Sequence, residues 1–210
     1  MPALYANVLK RVCDVVAALL MLVLLAPVLL LVAVAVRVFL GRPVLFADDR
    51  AGLRGRPIRV LKFRSMTDAR DAAGCLLPDA QRLGGFGRFL RRTSLDELPQ
   101  LLAVLRGDMS LVGPRPLPLR YVPRYTPRQA TRLEVRPGLT GWAQINGRNS
   151  VNWPDRLELD AEYVERVRRP LGFLTDLWIV VATVFQMIGQ ALTGRGISAP
   201  GSATMPEFMP

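Results

Sequence analysis

The chain contains no histidine. That removes Ser-His-Asp and Cys-His nucleophile activation, and histidine-ligated metal chemistry, in one step. It has two cysteines, Cys13 and Cys75. They are too few for a disulfide framework or a zinc site, and a reducing compartment is expected. Lysine is scarce: Lys10 and Lys62 are the only two among 28 basic residues. Aromatic residues make up 7%, without the interleaved basic-aromatic stripe that stacks nucleic-acid bases. Any catalysis therefore rests on carboxylates, lysine, arginine, tyrosine or a cysteine.

What is abundant is apolar surface and arginine. The 210 residues allow one domain with an appendage, or two small domains. Half are hydrophobic, and mean hydropathy is +0.24 despite 21% charged residues, so the apolar excess is concentrated locally. The net charge of +11 points to an anionic partner: nucleic acid, anionic lipid or a phosphorylated substrate. Arginine suits bidentate phosphate contacts, although genomic base composition explains its excess equally well.

Val15 to Val36 carries no charge, and 22 residues are enough to cross a hydrocarbon core of about 30 Å. The run is too long for a signal peptide, and no small-residue cleavage site precedes Arg37. Lys10 and Arg11 flank one end, Arg37 and Arg42 the other, so charge gives a spanning helix no orientation. Pro27 kinks or breaks the helix near its middle. Val15 to Ala26 covers only about 18 Å at roughly 1.5 Å per residue. A re-entrant hairpin that bends at Ala26-Pro27 and leaves on the side it entered fits these charges. A kinked transmembrane helix is the alternative.

Further along, Val44 to Phe46 reads as a short strand, Ala51 to Pro57 as a loop and Ile58 to Met66 as a strand. That strand puts Lys62 and Arg64 on the face opposite Arg59, Leu61 and Phe63; by spacing alone the two cations form a solvated face more simply than an anion site. Thr67 to Arg82 is polar surface. Phe86 to Arg92 is a short helix, and a helix from near Ser94 ends at Arg106-Gly107-Asp108. Pro116 to Arg132 is short helical and extended pieces, and Arg156 to Arg168 is helical. In Leu171 to Leu192 the uncharged part, Leu177 to Phe185, is too short to span; an amphipathic interfacial helix, or one packed on the hairpin, is expected over a buried core helix. The Pro- and Met-rich tail from Ser198 is expected to be loosely held. The fold class is α+β, mostly helical: residues 1–40 membrane-inserted, 41–196 a catalytic domain with interfacial helices, 197–210 a tail.

From Arg91 to Pro116, two adjacent carboxylates, Asp96 and Glu97, follow a basic pair and precede an apolar segment. The simpler reading of Ser94-Leu95-Asp96-Glu97 is a capping box, with Ser94 as cap and Glu97 returning the bond. Pro99 sits less easily in it. The functional reading keeps an ionised carboxylate and oriented N–H groups at a helix start, where phosphates bind. Arg91 and Arg92 lie upstream, and Arg115 is held between Pro114 and Pro116, placed to clamp a diphosphate. A carboxylate attacks phosphorus without a general base, and a neighbouring acid can hold Mg²⁺.

Several longer stretches are more specific. They are Lys10-Arg-Val-Cys-Asp14, Asp49-Arg-Ala-Gly52, Lys62-Phe-Arg-Ser-Met66, Arg92-Thr-Ser-Leu-Asp-Glu-Leu-Pro-Gln-Leu101, Gly107-Asp-Met-Ser-Leu-Val-Gly-Pro-Arg-Pro116 and Arg136-Pro-Gly-Leu-Thr-Gly-Trp-Ala-Gln-Ile-Asn-Gly-Arg-Asn149. Together they resemble the small monotopic phosphoglycosyl transferases of bacteria, the PglC-type sugar transferases, over nearly the whole chain. The resemblance implies transfer of a sugar phosphate from a UDP-sugar to a polyprenyl phosphate, usually undecaprenyl phosphate, with release of UMP. It implies Asp96 as nucleophile, Glu97 as Mg²⁺ ligand, and Arg91, Pro114 and Arg115 at the substrate phosphates. Lys62 falls in the family's Lys-Phe motif, so it is counted among the substrate-binding residues. The implied location is the cytoplasmic face of the bacterial inner membrane, at the first membrane step of glycoconjugate assembly, with downstream glycosyltransferases as possible partners and no nucleic acid. The family breaks its re-entrant helix at Ser-Pro; here Ala26-Pro27 leaves proline alone to do so. Two rivals stand beside this reading: a non-catalytic, membrane-anchored basic module for nucleic acid or anionic lipid, and a transferase with an altered donor site.

Overall fold

The computed structural model describes residues 8–147, 152–193 and Phe208. It is α+β and mostly helical. Helix α1 (Lys10–Leu24) runs to Leu25, where the chain bends by 62° into α2 (Ala26–Phe39). Pro27 lies in the first turn of α2, where its missing N–H leaves no intrahelical bond unmade. The break thus falls within two residues of Pro27.

The inner faces of this bent pair pack on the domain. Ala18, Met21 and Leu22 of α1 meet Leu101, Val104 and Met109; Val32 and Val36 of α2 meet Phe63 and Leu90. The outer faces, including Leu20, Val23, Leu24, Leu30, Leu31 and Val38, are more than half exposed. Arg11 donates to the Leu105 carbonyl (2.8 Å), placing a cation at the C-terminus of helix α4 (Leu101–Arg106), which the helix dipole favours. Buried Asp14 accepts the Leu111 N–H at 3.0 Å.

Strands β1 (Leu45–Ala51) and β2 (Pro57–Phe63) form an antiparallel hairpin with Leu45 opposite Phe63 and Ala51 opposite Pro57. β1 is longer than the Val44–Phe46 expected, because its polar residues Asp48, Asp49 and Arg50 still pair their backbone with β2. Gly52 closes the hairpin end: its N–H donates to the Arg56 carbonyl at 2.7 Å, and a Cβ there would meet Ile58 Cγ2 at 2.5 Å. Helix α3 (Gly85–Thr93) follows, then a 3-10 segment, Leu95–Gln100, and α4. One helix from Ser94 to Gly107 was expected. Ser94 instead takes the left-handed conformation (φ 56°) as the C-cap of α3, and Pro99 lacks the N–H an α-helix would send to Leu95. Regular α-helix therefore begins only at Leu101.

A second, parallel pair joins β3 (Ser110–Val112) to β4 (Gly138–Thr140). Between them lie two 3-10 segments and one helical turn, Pro127–Ala130. Helix α5 (Trp153–Val167) starts under an Asn152 cap and buries Leu157, Asp160, Ala161 and Val164. Helix α6 (Gly172–Thr193) is continuous, and Gly172–Gly189 is long and apolar enough to cross a membrane, which the uncharged stretch Leu177–Phe185 alone is not. It is not a core helix. Asp176, Ile179, Thr183 and Gln186 face the domain, where Thr183 bonds Thr140 and Gln186 bonds the Ile145 carbonyl. Leu177, Trp178, Val184, Phe185 and Ile188 on the other side are exposed.

Lys10 pairs with Asp176 at 2.6 Å, and Tyr163 donates to the same carboxylate at 2.8 Å, tying the start of α1 to α6 and α5. Asp176→Ala is expected to lower stability by about 3–5 kcal/mol, because it leaves a poorly exposed ammonium without its partner. Thermal unfolding in detergent checks this, and an unchanged midpoint would contradict it. The expected loose tail needs correction at one point: Phe208 is buried, its N–H donates to Tyr121 and its carbonyl accepts from Arg124. The rest of 197–210, and Arg148 and Asn149, lie outside the described residues.

Candidate active site

The acidic pair sits on the 3-10 segment, against β2 and between α3 and α4. Ser94 is not its cap. The Ser94 side chain makes no cap bond; its backbone carbonyl accepts the Glu97 N–H at 3.2 Å. A capping box does form elsewhere, at Thr126 and Gln129. The Glu97 carboxylate is therefore free of the cap, and cations take it.

Lys62 Nζ lies 2.7 Å from Glu97 Oε1. Arg115 Nη2 lies 2.6 Å from the same oxygen, and Nη1 lies 3.4 Å from Oε2. Lys62 reaches inward because it follows Ile58 and Val60 on the inner face of β2, so it is not part of a solvated face. Arg64 does not join it: it bonds the Met66 and Arg42 carbonyls and Asp68. Arg91, in the last turn of α3, donates from Nε to Ser65 Oγ at 3.0 Å. Ser65, which the sequence offered only as part of the Lys62–Met66 stretch, holds this arginine while its own carbonyl approaches Gly87 so closely that a Cβ there would meet it at 1.9 Å.

Arg115 belongs to a loop clamped by its backbone. Gly113 donates to the Thr140 carbonyl at 2.8 Å, and Gly138 donates to the Pro114 carbonyl at 2.9 Å. The contact is so close that a Cβ on Gly113 would lie 2.4 Å from the Arg136 carbonyl. Pro114 and Arg115 line a small recess with Ala51, Gly52, Arg132 and Pro137. This brings the Gly-Pro-Arg-Pro, Asp-Arg-Ala-Gly and Arg-Pro-Gly stretches to one place.

The two acids differ sharply. Asp96 is 7% exposed, and among the described residues its carboxylate carries no hydrogen bond or ion pair. Burial, and next the Glu97 charge, push its pKa up from 3.8 to about 6, against the pull of Lys62, Arg91 and Arg115. Glu97 is subject to burial as well, but Arg115 and Lys62 outweigh it and hold the carboxyl well below the usual range. The Glu97 charge in turn raises the pKa of Arg115. One acid is thus a fixed, neutralised anion. The other is a buried carboxylate that ionises just below neutrality, among cations able to receive phosphate oxygens.

Among the described residues no three acidic or thiol groups converge as a metal cage. Mg²⁺ commonly takes one or two carboxylates and completes its shell with substrate phosphates and water. Glu97 fits that pattern through Oε2, whose one hydrogen bond among the described residues is the 3.4 Å one from Arg115, while Oε1 takes both short bonds.

Two buried residues behind the site escaped sequence reading. Arg132 and Asp160 are joined at 2.8 Å, and Arg132 bonds the Arg115 carbonyl. Asp160 did leave a trace: it is an acid at helical spacing within the apolar face of α5.

A family model described as bacterial sugar transferase matches residues 5–190. The chain is 47% identical over 201 residues to an uncharacterized sugar transferase of Bacillus subtilis, EpsL, covering 96% of each. It is 43% identical over 195 residues to a UDP-glucose:undecaprenyl-phosphate glucose-1-phosphate transferase of Caulobacter vibrioides, covering 88% of this chain and 71% of that one. It is 42% identical over 188 residues to an Escherichia coli protein of the same name, covering 86% of this chain and 40% of that longer protein.

Proposed function

From the premise that the chain belongs to the bacterial sugar transferase family, we propose that it is a sugar-phosphate transferase that moves a sugar 1-phosphate from a UDP-sugar to a polyprenyl phosphate. The observation that carries the mechanism is the unlike pair: Glu97 neutralised by Lys62 and Arg115, and beside it Asp96, without a hydrogen bond among the described residues. Asp96 attacks the sugar-proximal phosphorus. A bond forms from its carboxylate oxygen to phosphorus, and the bond from phosphorus to the bridging oxygen breaks. That oxygen leaves with UMP. The phosphate of the polyprenyl acceptor then attacks the phosphosugar on Asp96 and frees the carboxylate. Neither nucleophile must lose a proton once ionised, which suits a chain without histidine. Lys62, Arg91 and Arg115 stabilise charge on the transferring phosphate. Glu97 would hold Mg²⁺, which when bound would further neutralise the diphosphate.

The nucleophile must be ionised, so the pKa of about 6 at Asp96 sets a pH dependence. The rate of UMP release is expected to rise about tenfold per pH unit below that value and to level off above it. A pre-steady-state pH profile checks this; a flat profile from pH 5 to 8 would contradict it.

The exposed apolar faces of α1, α2 and α6 support a bilayer as the third partner. In this reading the 62° bend makes the N-terminal pair re-entrant, α6 lies along the interface, and the site faces the cytoplasm at the inner membrane, where polyprenyl phosphate is presented. The product is the first lipid-linked sugar of a glycoconjugate, ready for downstream glycosyltransferases. The decisive screen offers UDP-sugars, UDP-glucose first because relatives are named for it, to membrane fractions with undecaprenyl phosphate and measures UMP. No UMP from any donor, with salt-sensitive nucleic-acid binding instead, would favour a non-catalytic basic module.

A further inference from the structure

We infer that Arg132, held by Asp160, is a positioning residue that sets the reach of Arg115 in phosphate transfer; the inference rests on the transferase reading above. Arg132 is 3% exposed and stands behind the Gly-Pro-Arg-Pro loop. Its guanidinium makes four directed bonds. Nε and Nη2 hold Asp160 Oδ2 at 3.0 and 2.8 Å. Nη1 donates to the Tyr125 hydroxyl at 3.0 Å, and Nη2 also donates to the Arg115 carbonyl at 2.6 Å.

The neighbouring Pro114 carbonyl is taken by Gly138, so both carbonyls flanking the Cα of Arg115 are fixed. From that clamped backbone the Arg115 side chain reaches Glu97. The result is a continuous chain of contacts: α5 through Asp160, Arg132, the Arg115 backbone, the Arg115 guanidinium and Glu97 beside Asp96.

A buried ion pair is poor evidence for stability, since desolvation offsets most of its attraction. Asp160 keeps one oxygen, Oδ1, buried without a partner, which makes a purely stabilising role weaker still. What the pair provides is direction. A planar fork with five N–H groups serves a carboxylate, a hydroxyl and a backbone carbonyl in fixed directions; a lysine in its place keeps the charge and loses the geometry. Displacements near 1 Å at a phosphate clamp cost up to about a hundredfold in rate.

The test is a double-mutant cycle on UMP release from a UDP-sugar that supports turnover, with undecaprenyl phosphate. Arg132→Lys is expected to lower kcat about 10–100-fold with KM for that UDP-sugar nearly unchanged. In the Arg115→Lys background the same change is expected to cost less than about threefold, because its route of action is already gone. Equal losses in both backgrounds would overturn the inference and make Arg132 a general structural residue. Should Arg132→Lys fail to fold, Tyr125→Phe removes one bond of the fork, and the same non-additivity with Arg115→Lys is expected of it; additive losses there overturn the inference equally. Wild-type protein that releases no UMP from any UDP-sugar overturns the transferase reading itself, a result distinct from additivity in an active enzyme.

Discussion

Asp96→Asn is expected to abolish UMP release, lowering it by at least about a thousandfold, and to make the protein more stable at neutral pH. Both effects come from one feature. Among the described residues no donor bonds the buried carboxylate, so its charged form is poorly solvated and its pKa stands near 6 instead of 3.8. The folded state therefore binds a proton more tightly than the unfolded chain. The stabilisation this gives is complete below about pH 4 and is lost as pH rises through about 6. At pH 7 the folded protein carries the full cost of the ionised group, of order 2–3 kcal/mol. An amide carries no such cost and cannot form an acyl phosphate. Such a site holds strain where reactivity is needed. Thermal unfolding and UMP release measured on one preparation check both halves. A variant with near-normal turnover would remove Asp96 from the chemistry.

Glu97→Gln is expected to be damaging in a different way. Glu97 accepts from Lys62 at 2.7 Å and from Arg115 at 2.6 Å. Removing its charge leaves two partly exposed cations without that anion, which costs about 1–3 kcal/mol of stability, less than for a fully buried pair. Its depressed pKa stabilises the fold above the ordinary glutamate value of 4.5, and that contribution is lost as pH falls. The same substitution relieves the repulsion that helps raise Asp96 and frees Lys62 and Arg115 to attract it. The break in the pH profile therefore moves to lower pH, while the rate falls about 100–1,000-fold as the phosphate clamp loses its order. The two variants are thus told apart by stability alone: Asp96→Asn raises the unfolding midpoint and Glu97→Gln lowers it. Equal shifts in one direction would mean that the acids are not electrostatically distinct.

Much of this was legible in the chain, and the rest fails for identifiable physical reasons. The apolar run with Pro27 announced a broken helix, and the bend falls at Leu25. Short-range patterns gave α3, the end of α4 at Gly107 and the helical core of α5. Ser94 misled because Ser-x-x-Glu spacing is a cap only when the serine sits in extended backbone, and here it terminates the preceding helix in the left-handed region. Lys62 misled because strand alternation says which face a residue shares and not what faces it; the 3-10 segment that meets β2 is 35 residues away. Arg132 and Asp160 lie 28 residues apart, and no local pattern pairs them. α6 was judged by its uncharged stretch, yet Asp176 is neutralised inside the protein by Lys10, so the apolar surface it presents is longer than a charge-free count allows.

The central claim is that Asp96 itself carries the phosphosugar. It is tested most directly by rapid quench of the protein with β-³²P-labelled UDP-sugar, using a donor that supports turnover, in the absence of acceptor. The account predicts a stoichiometric burst of UMP and label bound to protein, discharged on addition of undecaprenyl phosphate and absent in Asp96→Asn. UMP that forms only when acceptor is present, with no labelled protein at any time, would contradict it.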